Sequence, residues 1–384
     1  MTTAGKRLRK HLMTNRERML AALRYQTYDR LPIVHFGFWN ETVEKWAAEG
    51  HLTQDEARDY GDGNAADKSI TAKLGFDLNY QSMVYNNVDL SPGFESRVIE
   101  ELPDGSRKVL NSHGVVLLSK PGAGSIPMEF EHLLKSRKEW EEHFLPKLQY
   151  SDSRVGVNDD TVAYLEDPNR TDWVGLQCGS LFGTIRNWLG VEGQAYLYAD
   201  DEEVFTEIID CVGNLAYECV KTALSRTTAF DFGHFWEDIC FKNGPLISPR
   251  VFDEKVGPHY KRITDLLNSH GIDIVSLDCD GCIDALVPTW IANGVNTMFP
   301  IEVGTWRASI RPWREKFGRE LRGVGGMDKV AFSHDRAAID AEIERLKPLV
   351  DLGGFVPCPD HRIAPDAIWD NVKYYCEKMR AAFG

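Results

Sequence analysis

The segment SLDCDGC, residues 276–282, concentrates side chains that can do chemistry: two carboxylates and two thiols beside a glycine. It follows the apolar run GIDIV and precedes IDALVPTWIANG, a pattern that predicts a helix. Side chains two residues apart on a strand share a face, so Asp278 and Asp280 should point one way and Cys279 the other. Because paired carboxylates repel each other unless a cation or a shared proton intervenes, the segment predicts a metal site.

A third ligand is expected from a neighbouring strand end. His361, in CPDHRIAPD just after the last predicted strand, is the best placed residue, and Glu237 is the next. Two other interpretations stay open at this point. An aspartate after a strand often caps the following helix, and the pair Cys279 and Cys282 could form a redox or zinc motif. No second CxxC is present, and alternation turns Cys279 away from the carboxylates.

The elements that must position these residues form a repeating pattern from about residue 172 onward. Strand-like runs alternate with helical segments, which indicates βαβ units and a parallel sheet. Together with a strand near Ile33 and one more in 66–130, the count of eight predicts a (β/α)8 TIM barrel. The six strand-like runs are DWVGLQCG, TAFDFGHF, GIDIVSLD, GVNTMFP, LRGVGGMD and GGFVPCPDH.

We expect a single barrel domain over residues 1–384, with an N-terminal extension and a β-hairpin excursion at about 85–130. The excursion is predicted by β-like segments that flank a Pro-Asp-Gly turn. In a barrel, the strand ends converge on the carboxyl-terminal face, whereas a doubly wound sheet would spread them along a crevice. The polar residues at the predicted strand ends are His35, Gln177, His234, Glu237, Asp238, Asp278, Asp280, Glu302, Asp328 and His361.

The charge and composition of the chain disfavour some classes of binding partner. A formal net charge of -14 disfavours nucleic acid and anionic membranes as partners. No apolar stretch approaches the roughly 20 residues of a membrane span, and the basic N-terminus lacks an apolar signal core. Eight cysteines without a signal peptide fit a reducing compartment. The sequence therefore favours a cytoplasmic protein that binds a small molecule or a protein partner.

Several segments resemble the uroporphyrinogen decarboxylase superfamily, and the resemblance covers nearly the whole chain. This superfamily has a (β/α)8 barrel and includes porphyrin decarboxylases and zinc-dependent methyltransferases that work with corrinoid proteins. The decarboxylases carry an MRQAGR stretch, but the corresponding HFGFWNETVEKW has no arginine, which disfavours tetrapyrrole decarboxylation. The segments that carry the resemblance are TNRERMLAALRYQTYDRLPIVHFG, DGCIDALVPTWIANGVNTMFPIEV, LRGVGGMDK and GGFVPCPDHRIAPDAIWDNVKYY.

The methyltransferases of this superfamily hold zinc with a His-x-Cys-Gly motif and a later cysteine. Residues 278–281, Asp-Cys-Asp-Gly, are similar to the first motif in position, and His361 falls on or beside the later cysteine. The resemblance implies zinc or another divalent metal on Asp278, Asp280 and His361, a corrinoid protein as partner, and a small methylated substrate. Because these ligands are harder than imidazole and thiolate, an aryl methyl ether is favoured.

If the protein is such a methyltransferase, the remaining site residues are expected to donate a proton or to bind the substrate. Glu237 or His234 would supply a proton, although His234 and His35 are more typical of packed or supporting histidines than of ligands. Two other functions stay open: decarboxylation of a small acid or porphyrin-like substrate, and non-catalytic binding of a corrinoid or tetrapyrrole. The predicted substrate pocket is lined by His35, Trp39, Gln177, Trp236 and Asp328.

Overall fold

The protein is a mixed α/β structure, seen in a computed structural model that describes residues 12–120 and 128–384. Residues 1–11 of the predicted N-terminal extension and residues 121–127 of the predicted excursion lie outside this range. Among the described residues, the strands are β1 (Val34–His35), β2 (Leu78–Asn79), β3 (Met83–Val84), β4 (Arg97–Glu101), β5 (Arg107–Leu110), β6 (Val115–Ser119), β7 (Met128–His132), β8 (Gly175–Gln177), β9 (Phe232–Trp236), β10 (Cys240–Phe241), β11 (Gly244–Pro245), β12 (Val275–Asp278), β13 (Thr297–Ile301), β14 (Arg322–Met327) and β15 (Phe355–Pro359).

The α-helices alternate with these strands over most of the chain. Within the same residues they are α1 (Asn15–Leu23), α2 (Asn40–Ala48), α3 (Gln54–Arg58), α4 (Ala65–Leu74), α5 (Arg137–Glu139), α6 (Asp159–Leu165), α7 (Gly183–Asp200), α8 (Glu202–Arg226), α9 (Pro249–Val251), α10 (Gly257–Ser269), α11 (Val287–Ala292), α12 (Val303–Trp306), α13 (Ile310–Phe317), α14 (Arg336–Val350) and α15 (Trp369–Phe383). None of the helices in the described ranges combines the length and apolar character that a membrane crossing requires.

The chain divides into two compact units. The first contains residues up to Ser82 together with 169–173 and 309–384, and the second contains 83–168 and 174–308. The single-domain organisation expected from the sequence stays a prediction.

The second unit contains a parallel sheet with the strand order β13, β12, β9, β8, β3. Helices α7 and α8 connect β8 to β9, and α10 connects β9 to β12. All four residues of β12 are buried, as expected for a parallel strand covered on both faces. The βαβ pattern is thus confirmed here. Helix α11 begins at Val287, later than predicted; its Pro288 occupies the first turn, where the missing N–H costs no hydrogen bond.

The predicted excursion is a four-stranded antiparallel sheet in the order β4, β5, β6, β7. It is larger than the hairpin that we expected, because β6 and β7 add two further strands beside β5. The Pro-Asp-Gly turn joins β4 to β5 as predicted: the N–H of Gly105 donates to the carbonyl of Leu102 at 3.0 Å. Gly105 has a φ of 82°, a left-handed conformation that glycine adopts without steric cost.

The first unit contains two parallel pairs, β1 with β2 and β14 with β15. Helix α14 connects β14 to β15, and a parallel bridge between Phe38 and Ile363 links the segments that follow β1 and β15. Helix α1 starts with the predicted capping box, in which Thr14 accepts from the N–H of Glu17 at 3.2 Å and its own N–H donates to the Glu17 carboxylate. Closure of all these strands into one barrel stays a prediction.

Candidate metal centre

Three aspartates meet where two neighbouring strands of the second unit end. Asp278 is the last residue of β12 and Asp280 follows it, while Asp238 lies two residues beyond β9. Strands β9 and β12 are paired in parallel, with Trp236 opposite Asp278. Carboxylate oxygens of the three aspartates lie within 4.8 Å of one another. The pairing of Asp278 with Asp280 therefore agrees with the alternation, and Asp238 completes the group.

Asp238 has an unusual backbone conformation and is hydrogen-bonded to the loop that carries the other two aspartates. Its φ of 49° lies in the left-handed region, which aspartate enters more readily than most residues. One of its carboxylate oxygens, Oδ1, accepts the N–H of Asp280 at 3.1 Å. The guanidinium of Arg186, on α7, donates to the Asp238 carbonyl at 2.8 Å. A direct hydrogen bond thus joins the loop after β9, which carries Asp238, to the loop after β12, which carries Asp280.

Gly281 allows the loop after β12 to pack closely against the segment after β9. Its φ is 88°, and a Cβ at this position would lie 2.5 Å from the carbonyl oxygen of Cys240. Its N–H donates to Oε2 of Glu302 at 2.5 Å, and Oε1 of Glu302 accepts the hydroxyl of Thr305 at 2.9 Å. A larger residue than glycine would force this loop, and Asp280 with it, away from its position.

The two thiols of the segment face a different environment from the carboxylates. Cys279 is 1% exposed, and its Sγ accepts the N–H of Ile239 at 3.4 Å. Burial raises the pKa of Cys279 well above its usual range, and burial also raises the pKa of Cys282. A redox or zinc motif of Cys279 and Cys282 stays an open alternative, because a bound metal would itself deprotonate a thiol.

The charge and spacing of the aspartates suit a divalent cation. At an effective dielectric constant near 20, two carboxylates about 5 Å apart repel each other by roughly 3 kcal/mol. Ligand atoms that each lie about 2.0–2.6 Å from one ion can be up to about 5 Å apart, which accommodates the observed group. An all-oxygen set is typical of Mg²⁺, Ca²⁺ or Mn²⁺. Asp238 and Asp280 are partly exposed, so ligands can approach from that side.

His361 lies in the first unit, where its ring stacks on Trp39 with centroids 5.5 Å apart and an interplanar angle of 18°. Phe36 meets the same imidazole edge-on at 5.9 Å. Its predicted role as a metal ligand stays a prediction. The sequence placed Asp238 among the strand-end residues without assigning it to the metal, because local sequence does not distinguish it from the adjacent Glu237.

Glu237 is fully buried and holds the start of α7. Its carboxylate accepts the N–H groups of Leu181 at 2.8 Å, Phe182 at 2.9 Å and Gly183, and the hydroxyl of Tyr260 also donates to it. Burial raises the pKa of Glu237, while these hydrogen bonds act in the opposite direction. The contacts are those of a helix cap. The roles of Glu237 as proton donor or metal ligand stay predictions.

His234 lies inside β9, two residues before the strand ends, and not at the strand end as the sequence suggested. Its Nδ1 is hydrogen-bonded to the hydroxyl of Ser276 at 2.6 Å. Burial lowers the pKa of His234 to about 3. The imidazole is therefore neutral at pH 7. The role of His234 as a proton donor stays a prediction.

We expect acidification to destabilise the protein through His234. Its folded pKa of about 3 lies below the value of about 6.5 in an unfolded chain, so its stabilising contribution is complete above pH 6.5 and is lost as the pH falls toward 3. Between pH 7 and 5 this loss is about 2 kcal/mol. Urea unfolding of His234→Asn should show a correspondingly smaller loss than wild type. The exposed His270→Asn is the control, and equal losses in all three proteins would contradict the assignment.

The predicted substrate residues have the following surroundings. Both ring nitrogens of the buried His35 are hydrogen-bonded, Nδ1 to the N–H of Gly37 and Nε2 to the hydroxyl of Thr71, as in a packed histidine. Gln177 accepts the N–H of Gly179 at 3.0 Å. Asp328 accepts the N–H of Val330 at 3.0 Å and caps a short 3₁₀ helix. Trp39 and Trp236 are partly exposed. Contact of these five residues with substrate stays a prediction.

Comparison with known proteins identifies a solved structure with a similar fold. No protein-family model and no curated protein matches the chain. Among solved structures, the chain is similar to a methyltransferase from Methanosarcina mazei, with a TM-score of 0.61 and 15% identity over 96% of this chain and 98% of that one. A vitamin-B12-independent methionine synthase-like protein from Listeria monocytogenes aligns with a TM-score of 0.39 and 12% identity over 91% and 97% of the two chains. The first likeness shows that the fold is shared with a methyltransferase structure.

Proposed function

We propose that the protein is a metal-dependent methyltransferase that moves a methyl group between a small methylated substrate and a corrinoid carried by a partner protein. The observation that carries this proposal is the group of Asp238, Asp278 and Asp280 at the carboxyl ends of adjacent parallel strands. The shared fold with a methyltransferase structure supports the same class of reaction. Active sites of α/β proteins lie at this end of the strands, which makes the position suitable.

The three aspartates would hold the cation. A bound cation supplies Lewis-acid stabilisation of the negative charge on the group that loses the methyl. Arg186 and the N–H of Asp280 keep Asp238 in place, and Gly281 keeps Asp280 in place. The chain thus contributes a prearranged set of carboxylates that does not have to reorganise during the reaction.

The carboxylate ligands favour an oxygen leaving group. A hard site best stabilises a phenolate or alkoxide, whereas thiolates are stabilised by metals with softer ligands. We therefore propose aryl methyl ethers as the preferred donors, with the partly exposed Trp236, two residues before Asp238, as the side chain that contacts the aromatic ring.

Metal analysis combined with a methyl-transfer assay tests this proposal. The purified protein should contain about one divalent ion per chain, and it should transfer methyl groups from an aryl methyl ether to cob(I)alamin. Removal of the ion with a chelator should abolish the transfer, and readdition of Mn²⁺, Mg²⁺ or Zn²⁺ should restore it. Undiminished transfer by metal-free protein, or no transfer by the metal-loaded protein with any methyl donor, would disprove the proposal.

The preference for ether or thioether substrates should depend on the residues that bind the metal. In the double variant Asp278→His/Asp280→Cys, a softer set replaces two carboxylates, so the ratio of thioether to ether demethylation should rise above that of wild type. The measurement compares matched ether and thioether donors with cob(I)alamin as acceptor. Asp278→Asn/Asp280→Asn is the control, because it removes both carboxylates without adding soft ligands. Faster transfer from the thioether in wild type would show that the hardness argument is wrong.

A further inference from the structure

A second buried polar group lies in the first unit, among residues that play no part in the metal centre. Asp62 and Asp67 are joined by the side-chain amide of Asn79, whose Nδ2 donates to Asp62 at 3.1 Å and to Asp67 at 2.9 Å. Asn79 ends β2, and Asp67 lies in the first turn of α4. Two carboxylates therefore share one donor at the carboxyl end of this strand.

Asp67 is almost completely buried, with 1% exposure, and only one of its oxygens is satisfied. Oδ2 accepts the N–H of Gly63 at 2.9 Å in addition to the Asn79 amide. Oδ1 has no hydrogen-bond partner within residues 12–120 and 128–384 and is shielded from solvent. A buried carboxylate oxygen without a partner lowers the free energy of unfolding. A cation or a hydrogen-bond donor at this atom would remove that cost.

The surrounding charges leave one negative charge in excess. Arg362 forms a two-pronged ion pair with Asp62, which also accepts the hydroxyl of Tyr60 at 3.2 Å. The neighbouring His35 adds no positive charge near neutral pH, because burial lowers its pKa. Arg362 therefore offsets Asp62, and Asp67 keeps its charge apart from the partial compensation by the start of α4.

We propose that Oδ1 of Asp67 binds a monovalent cation, Na⁺ or K⁺, which completes this buried network. One excess negative charge on a hard oxygen matches a singly charged hard cation. Divalent ions such as Ca²⁺ are usually held by more than one carboxylate, and Asp62 is already engaged by Arg362. The site is independent of the proposed methyltransferase activity.

Thermal unfolding in different salts tests the site. At constant ionic strength, with choline chloride replaced by NaCl or KCl up to about 200 mM, the Tm of wild type should rise by about 2–4 °C for a site half filled near 10 mM, and above about 10 mM the rise should follow the logarithm of the salt concentration. The NaCl and KCl series distinguish the two ions. Asp67→Asn should abolish the dependence and should be at least as stable as wild type in choline chloride, because it removes the buried charge.

Asp172→Asn, which removes a partly exposed carboxylate of the same unit, is the control and should keep the wild-type dependence. If Asp67→Asn does not fold, crystals of wild type soaked in Rb⁺ provide the second test, through anomalous density beside Asp67 Oδ1. A wild-type Tm that is the same in all three salts would overturn the proposal. An equal salt response in Asp67→Asn would also overturn it, since the cation would then bind elsewhere.

Discussion

Replacing Asp280 by alanine should lower the rate of methyl transfer by about two to three orders of magnitude, by analogy with the loss of one preorganised group that stabilises transition-state charge. The variant loses one of three carboxylates from the cation site. The backbone N–H of Asp280 remains as a donor to Asp238, so the loop connection is kept and the loss reports on the side chain.

The measurement is kcat for transfer from an aryl methyl ether to cob(I)alamin at saturating metal, together with metal affinity by titration. Asp280→Asn should show a similar loss because it removes the charge at nearly constant size. Asp265→Ala, on the exposed side of α10, is the control and should behave as wild type. A rate within threefold of wild type for Asp280→Ala at saturating metal would contradict the assignment of this carboxylate to the site.

The strand alternation and the strand ends could be predicted because they depend on local sequence. Asp278 does end β12, and Asp280 and Cys279 face different surroundings as period-two alternation requires. The parallel βαβ units of the second unit were predicted for the same reason, since each apolar run is followed by a helical pattern. These features depend only on residues that are close together in the sequence.

The third member of the group could not be predicted from local patterns. Glu237 and Asp238 are adjacent carboxylates after the same strand, and the sequence favoured Glu237. In the structure, β9 pairs with β12, Asp238 has a left-handed backbone and lies beside Asp278, and the Glu237 carboxylate accepts hydrogen bonds from the start of α7. The strand pairing and the position of Asp238 both depend on contacts between segments about 40 residues apart, which a single sequence does not reveal.

The hydrogen bonds of Glu237 predict that its substitution will strongly lower stability. Replacing Glu237 by alanine should lower the free energy of unfolding by about 3–5 kcal/mol, near the upper end for single substitutions. The change leaves the N–H groups of Leu181, Phe182 and Gly183 without their acceptor in a buried environment, and it removes the acceptor of the Tyr260 hydroxyl. Each unsatisfied buried donor costs about 1–3 kcal/mol.

Chemical unfolding of a double-mutant cycle with Tyr260→Phe separates the two parts of this effect. Tyr260→Phe alone removes one donor and should cost about 1–3 kcal/mol. The two substitutions should be less than additive, because the Tyr260 hydroxyl has already lost its acceptor when Glu237 is alanine. Glu254→Ala, an exposed glutamate nearby in sequence, is the matched control and should change stability by less than about 1 kcal/mol. A loss below about 1 kcal/mol in Glu237→Ala would mean that the carboxylate does not stabilise the start of α7.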